Sequence, residues 1–279
     1  MINFNGNISA LNNHISVQNR GFLYGDGVFE TVKIVDSKVL YVEDHYFRLM
    51  SSMRILRMEI PMAFTLEYIE QQLLNTAMAS NVADNARVRM TVFRNEGGYY
   101  DPLDNNISFI ITATAGASSL YLFSDEAYEV DLYKDYYVTK QLLSTIKSTS
   151  KIINITGSIY ARENGLQNCL LLNDSKNVIE ALNGNLFMLV GNKLTTPPVS
   201  EGCLKGVMRK QVMEVAAQNQ GIEVVEEVIS PFDLQKADEL FITNVIVGVQ
   251  PITRYRKKDY RSSFSAQIVH QLNAKIRLG

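Results

Sequence analysis

Cysteine is scarce in this chain of 279 residues: Cys169 and Cys203 are the whole supply, too few for a disulfide framework. Histidine is nearly as rare, and His14, His45 and His270 stand apart from both cysteines, which argues against a metal site. No apolar run approaches membrane-spanning length. The opening MINFNGNISALNNH has neither a charged stretch nor an apolar one behind it, so no secretory leader is expected and the cytoplasm is the expected compartment. A large excess of either charge is missing too, with 27 Lys and Arg against 29 Asp and Glu. A formal net charge of −2 gives no electrostatic reason for a nucleic-acid partner, and a small anionic ligand would need a local basic pocket. What is present is ordinary for a soluble globular protein, 46% hydrophobic and 20% charged, with length for two core-bearing lobes.

Read in order, INFNGNISA and GVFETVKIVDSKVLYVE predict strands turning at Asn5-Gly6 and Asp36-Ser37. Apolar residues at helical spacing (Tyr46, Leu49, Met50, Met53, Leu56) predict a helix over 42–58, and 64–80 a second. ARVRMTVFRN alternates as a half-buried strand, with Asn-Glu-Gly-Gly as its turn and ISFIITATA as its partner. The small residues of 114–119 make the best linker, which puts one domain at 1–117 and a second at 118–279. In the second, YEVDLYKDYYV reads as one or two strands, 152–164 as a helix ended by Gly165, and NCLLLND as a strand. NLFMLVGNKLTT is a hairpin turning at Gly191-Asn192. A helix over 208–219, strands IEVVEEVI and ELFITN, a short capped helix at SPFDLQKA and a terminal helix over 264–276 complete an α+β chain in two lobes with a cleft between them.

The chemistry gathers in 143–209. LSTIKSTSK offers Lys147 among small hydroxyl residues, Glu180 follows 33 residues later, and GCLKGVMRKQVMEVA feeds a glycine turn into a helix. A pyridoxal-phosphate site needs such parts: a lysine to form a Schiff base with the aldehyde, a carboxylate to keep the pyridine nitrogen protonated, and free backbone N–H groups for the phosphate. Each has an ordinary reading as well. Lys147 is otherwise a surface lysine, Glu180 a loop carboxylate, and Arg48 a solvated helix arginine.

With IKS, E-x4-NLF, L-x-G-V-x-R, RGFLYGDGVFET and HYFRL in matching order over nearly the whole chain, the sequence resembles the class IV aminotransferases, the fold-type IV pyridoxal-phosphate enzymes. The resemblance implies a two-domain fold of the D-amino-acid aminotransferase kind with its active site in the interdomain cleft. It implies pyridoxal 5'-phosphate as cofactor and Lys147 as its lysine, preferred to Lys151 because the family lysine directly follows a strand. Glu180, five residues before Asn185, takes the pyridinium, and Arg48 in H-x-x-R-L takes the phosphate. Val207 and Met208 add backbone N–H groups, Asn244 and Val245 also bind the cofactor, and Arg209 braces the turn. Leu182 stands where the family usually has a serine. On the substrate side are Tyr24, Phe29 and Thr31 of the GDGVFET strand, with Arg89, Arg94 and Tyr100. Arg89 and Arg94 face opposite ways on a regular strand, so at most one reaches the site directly.

Phe29 stands where D-amino-acid transaminases carry tyrosine. Ile152 and ITNVIVGVQPI replace the tyrosine and the Gly-Thr-Ala segment of branched-chain transaminases. The FRNEGGYY turn, the Thr243-Asn244 pair and the short length resemble aminodeoxychorismate lyase, whereas Ser148 is shared with D-amino-acid transaminases. The expected reaction is therefore conversion of 4-amino-4-deoxychorismate to 4-aminobenzoate and pyruvate, with a branched-chain or D-amino-acid transaminase as the alternative. A pyridoxal-phosphate-binding protein without turnover is a remote third reading that loss of the lysine or acid would favour, and both are present. Partners are a small amino substrate and, by resemblance, a second copy in a homodimer. Tyr99 and Tyr100 after the Gly-Gly turn either complete a neighbour's site or pack onto their own domain.

Overall fold

The computed structural model describes residues 1–10 and 15–278, so His14 lies outside the described residues. Contacts divide the chain into two compact units, 1–120 with 146–150, and 121–145 with 151–279. The reading from sequence put Lys147 in the second domain; it lies in the five-residue return to the first unit.

The first unit opens with β1 (Ile2–Phe4), β2 (Asn7–Ser9), α1 (Arg20–Tyr24), β3 (Gly27–Val35) and β4 (Lys38–Val39). It continues through α2 (Val42–Ile55), α3 (Leu66–Ala79), β5 (Asn85–Arg94) and β6 (Ile107–Ala115). The strands form one antiparallel sheet in the order β2-β1-β6-β5-β3-β4. Side chains alternate along a strand, so β3 sorts its residues cleanly. Val28, Val32 and Ile34 pack with Leu49 and Met53 of α2 and Leu73 of α3, while Phe29, Thr31 and Lys33 point the other way. The short helix α1 is absent from the sequence reading, which set Tyr24 on the strand. Asn19 caps that helix by accepting the Phe22 N–H, and Gly25 ends it at φ 67°, so Tyr24 is a helix residue.

The second unit contains β7 (Glu129–Val138), α4 (Ile152–Glu163), β8 (Asn168–Asn173), β9 (Val178–Ala181), β10 (Gly184–Val190) and β11 (Lys193–Thr196). α5 (Val207–Ala216), β12 (Glu223–Glu226), β13 (Glu239–Asn244), β14 (Gly248–Ile252), β15 (Arg254–Tyr255), β16 (Lys258–Asp259) and α6 (Ser263–Leu278) follow. Its sheet runs β12-β11-β10-β9-β8-β7-β15-β16, with β13 paired to both β10 and β14. Leu170, Leu186, Leu240 and Ile252 fill one core against it. The expected strand over IEVVEEVI shortens to β12, and SPFDLQKA forms a single 3-10 turn at Asp233–Lys236, where the Asp233 carboxylate accepts from both the Ser230 N–H and its hydroxyl.

Candidate active site

In the first unit, Lys147 does not follow a strand, contrary to the reason given for choosing it. A 3-10 turn, Leu142–Thr145, precedes it. Its backbone is instead stitched to the start of β3. The Phe29 N–H donates to the Lys147 carbonyl at 2.8 Å, Thr149 N–H donates to the Gly27 carbonyl at 2.9 Å, and Val28 bridges Ser148. The Thr149 hydroxyl adds a bond to the Gly25 carbonyl at 2.8 Å. Gly27 is required there, because a Cβ would stand 2.9 Å from the Val92 carbonyl oxygen. Held this way, the half-buried Lys147 carries its Nζ 4.7 Å from the centroid of the Phe29 ring, a cation–π distance. The Arg89 guanidinium lies 3.7 Å from the same centroid, and its Nε donates to the Thr91 hydroxyl at 3.2 Å.

Beneath that strand sits a group the sequence reading missed. Glu30 shares the core face of β3 and is 3% exposed. Arg48 donates to it twice, at 2.8 Å from Nε and 2.5 Å from Nη2, and His45 approaches it at 2.7 Å through Nδ1. Burial alone would push this carboxyl up. The Arg48 charge and hydrogen bond, with His45 assisting, override that and hold it at about 2. Burial pushes the His45 ring down, against the pull of Glu30, and Arg48 and Lys147 push the same way. A neutral His45 donating from Nδ1 satisfies the geometry, which leaves a buried Nε2 with no hydrogen-bond partner among the described residues. The signal was available: His45 and Arg48 are three apart on one helix face, and Glu30 has the parity of Val28, Val32 and Ile34.

The other candidates of this unit divide. Thr31 pairs with Arg89 across the ladder, on the face of Phe29. Arg94 is on the core face, opposite Arg89 as the alternation predicts. Its guanidinium is committed to Asp26 at 2.9 Å, to Asn105, and to the carbonyls of Leu56 and Arg57. Asp26 also receives Arg20 at 2.9 Å, and Arg20 donates to the Gly97, Gly98 and Tyr99 carbonyls. That chain of charges fixes the FRNEGGYY turn. Tyr100, at 92% exposed, touches Tyr24 with ring centroids 5.8 Å apart, so the tyrosines do not pack into their own core.

In the second unit, Glu180 lies on β9 and accepts the Leu204 N–H at 2.9 Å. Asn185, opposite Glu180 on β10, donates to the Leu204 carbonyl at 2.8 Å. The two together place the chain just ahead of α5. Gly206 is the N-cap of that helix and caps it with no side chain. Any Cβ there would fall 1.9 Å from Asn185 Oδ1, which is why the turn needs glycine. The N–H groups of Val207 and Met208 have no acceptor within their own helix. Arg209 donates to the Pro197 carbonyl at 2.9 Å and pairs with Glu226 at 3.0 Å, tying the first turn of α5 to those two segments. Asn244 spends its side chain on an Asx turn, accepting from Ile246 and Val247 N–H at 3.0 Å each, and Val245 offers its carbonyl to Tyr121 at 2.9 Å. Thr243, across from Asn185, is the surprise: its buried hydroxyl has no partner among the described residues. Leu182 fills the serine position by packing on α4, where a Cβ on Gly157 would strike it.

The family model for amino-transferase class IV matches residues 27–255, and the chain belongs to that family. It is accordingly an enzyme of the aminotransferase and lyase kind, with pyridoxal 5'-phosphate as cofactor. A putative branched-chain-amino-acid aminotransferase of Methanocaldococcus jannaschii is 31% identical over 94% of this chain and 90% of its own. The fold matches a branched-chain amino acid aminotransferase of Thermobaculum terrenum solved in its PLP form (TM-score 0.85, 20% identity, 99% and 92% covered). It matches 4-amino-4-deoxychorismate lyase of Pseudomonas aeruginosa equally well (TM-score 0.85, 21% identity, 99% of both chains).

Proposed function

We propose that the chain is an aminodeoxychorismate lyase, releasing 4-aminobenzoate and pyruvate from 4-amino-4-deoxychorismate. The observation that carries this reading is the FRNEGGYY turn, the lyase-like segment, which Arg20 grips by three carbonyls and anchors through Asp26 to Arg94. The transaminase alternative keeps one specific support, the 31% identity to the archaeal relative.

The residues present fit the cofactor. A glycine-capped helix start and a buried, unpartnered Thr243 hydroxyl suit phosphate and its neighbours. Arg48 and the Val207 and Met208 N–H groups would hold the phosphate, Glu180 the ring nitrogen, and Asn244 and Val245 would line the same segment. When bound, the group supplies an electron sink for negative charge at the substrate carbon that bears the amine. Lys147 Nζ takes the proton from that carbon. The C–O bond to the enolpyruvyl group then breaks, its methylene receives a proton, and pyruvate leaves an aromatic ring. The ring of Phe29, 4.7 Å from Nζ at its centroid, limits where Nζ can sit. Glu180→Gln is expected to keep cofactor binding and to slow turnover by about 10²-fold or more, because a neutral amide cannot hold the pyridinium charge. Wild-type turnover in that variant would contradict the assignment.

The working unit in this reading is a homodimer, which would cover the exposed Phe22, Tyr99, Tyr100 and Leu103. Light scattering over a dilution series checks it, and a fully active monomer would contradict it. The reaction itself is tested by supplying aminodeoxychorismate in one assay and a branched-chain amino acid with 2-oxoglutarate in another. The lyase reading expects 4-aminobenzoate and pyruvate from the first; keto acid from the second alone would overturn it.

A further inference from the structure

Among the described residues three carboxylates are buried: Glu30, Glu239 and Glu201. Glu30 is matched by Arg48. Glu239 serves one element, accepting the Phe264 and Ser265 N–H groups at 2.7 and 3.0 Å where α6 begins. Glu201 joins three segments of the second unit. One of its oxygens accepts from Lys140 Nζ at 3.1 Å, in the stem 139–145 that leads from β7 to Lys147. The other accepts from Asn173 at 2.7 Å and Asn177 at 2.9 Å, in the turn between β8 and β9. The third segment is its own loop, 197–206, which runs into α5. Burial pushes the Glu201 carboxyl up, and the hydrogen bonds from Asn177, Asn173 and Lys140 outweigh it and hold it below the usual range.

The rest of the loop carries the same join forward. The Leu204 N–H goes to Glu180, and the Lys205 N–H donates to the Thr145 carbonyl at 3.3 Å. Gly202, at φ 96°, lets the loop lie close on the stem, where a Cβ would come 3.1 Å from the Ser144 hydroxyl and 3.3 Å from the Thr139 carbonyl oxygen. Packed apolar side chains stabilise a fold as well as a buried ion pair does. What a carboxylate adds here is direction, with two oxygens fixing donors from two other segments.

Resting on the reading that Lys147 is the reactive amine, we propose that Glu201 is a positioning residue that locks the stem leading into Lys147 onto the loop ahead of α5. Only Ile146 stands between Thr145 and Lys147, so play in the stem is passed on to the amine. In Glu201→Gln an amide NH2 must face either Lys140 or the two asparagines, all of them donors, and the join opens on one side.

Hydrogen exchange on the full chain, with cofactor and without, tests this. In Glu201→Gln it is expected to quicken about tenfold over 139–147 and to keep its wild-type rate over 85–115. The pH at which the visible absorbance band of the cofactor-loaded enzyme changes reports the surroundings of the amine, and it should move by about half a unit or more. A carboxylate with a merely structural role would leave that pH in place. Lys140→Met, which keeps both asparagine bonds, carries the same two readings if Glu201→Gln does not fold. Unchanged exchange over 139–147, or faster exchange with the band's pH unmoved, would overturn the inference. The reading of Lys147 fails separately: a borohydride adduct on another lysine in the wild type refutes it and leaves the exchange result as it stands.

Discussion

Replacing Lys147 with alanine is expected to lower turnover by about 10⁴-fold, the range that a positioned proton-transfer group commands. The expectation rests on how narrowly the backbone places this side chain. Residues 147–149 bond to Gly25, Gly27 and Phe29, and Nζ is set 4.7 Å from the Phe29 centroid. Lys151 has none of that placement on β3. It is the N-cap of α4, where its side chain makes no cap bond, and Lys151→Ala should keep turnover near wild type. Steady-state rates of both variants in the lyase and transaminase assays decide between them. Loss of turnover in Lys151→Ala with an active Lys147→Ala would move the chemistry four residues along the chain.

Glu30→Ala should be the most damaging substitution outside that lysine. It removes the buried carboxylate that accepts twice from Arg48, whose side chain is 10% exposed. Breaking a buried ion pair from one side costs about 3–5 kcal/mol, which a denaturant titration would read directly. Because Arg48 is proposed to hold the phosphate, cofactor affinity should fall in the same variant. Glu30→Gln, which restores volume but not charge, should recover part of the stability and less of the affinity. The pH dependence has a definite sign. A carboxyl held at about 2, against an ordinary 4.5, stabilises the fold fully above pH 4.5. Its contribution fades as pH falls through that interval, and the wild type should lose more stability there than Glu30→Gln. Parallel acid-unfolding curves for the two proteins would contradict the ion pair's role.

The elements that local pattern governs were legible in the sequence. The spacing of Leu49, Met50 and Met53 locates α2, Asn5-Gly6 and Gly191-Asn192 mark their turns, and Gly165 follows the end of α4 at φ 68°. What escaped was set by distant contacts. The resemblance places Lys147 directly after a strand, yet its conformation is fixed by Gly27 and Phe29, about 120 positions earlier. Glu30 was passed over inside GVFETVKIV, though its parity with Val32 and Ile34 already placed a carboxylate in the core, where only a buried cation could compensate it. Thr243 was noted only as a mark of reaction type. Its burial without a partner follows from β13 lying against β10, which no local pattern reveals. The resemblance supplied the roles of Lys147, Glu180 and Arg48; the structure supplied what holds each in place.

The account turns on Lys147 bearing the cofactor, and borohydride reduction followed by peptide mass spectrometry tests that most directly. The prediction is loss of the visible absorbance band and a pyridoxyl-phosphate mass on Lys147 in the peptide containing STIKSTSK. An adduct on Lys151, or no adduct on either lysine in a protein that binds the cofactor, would contradict it.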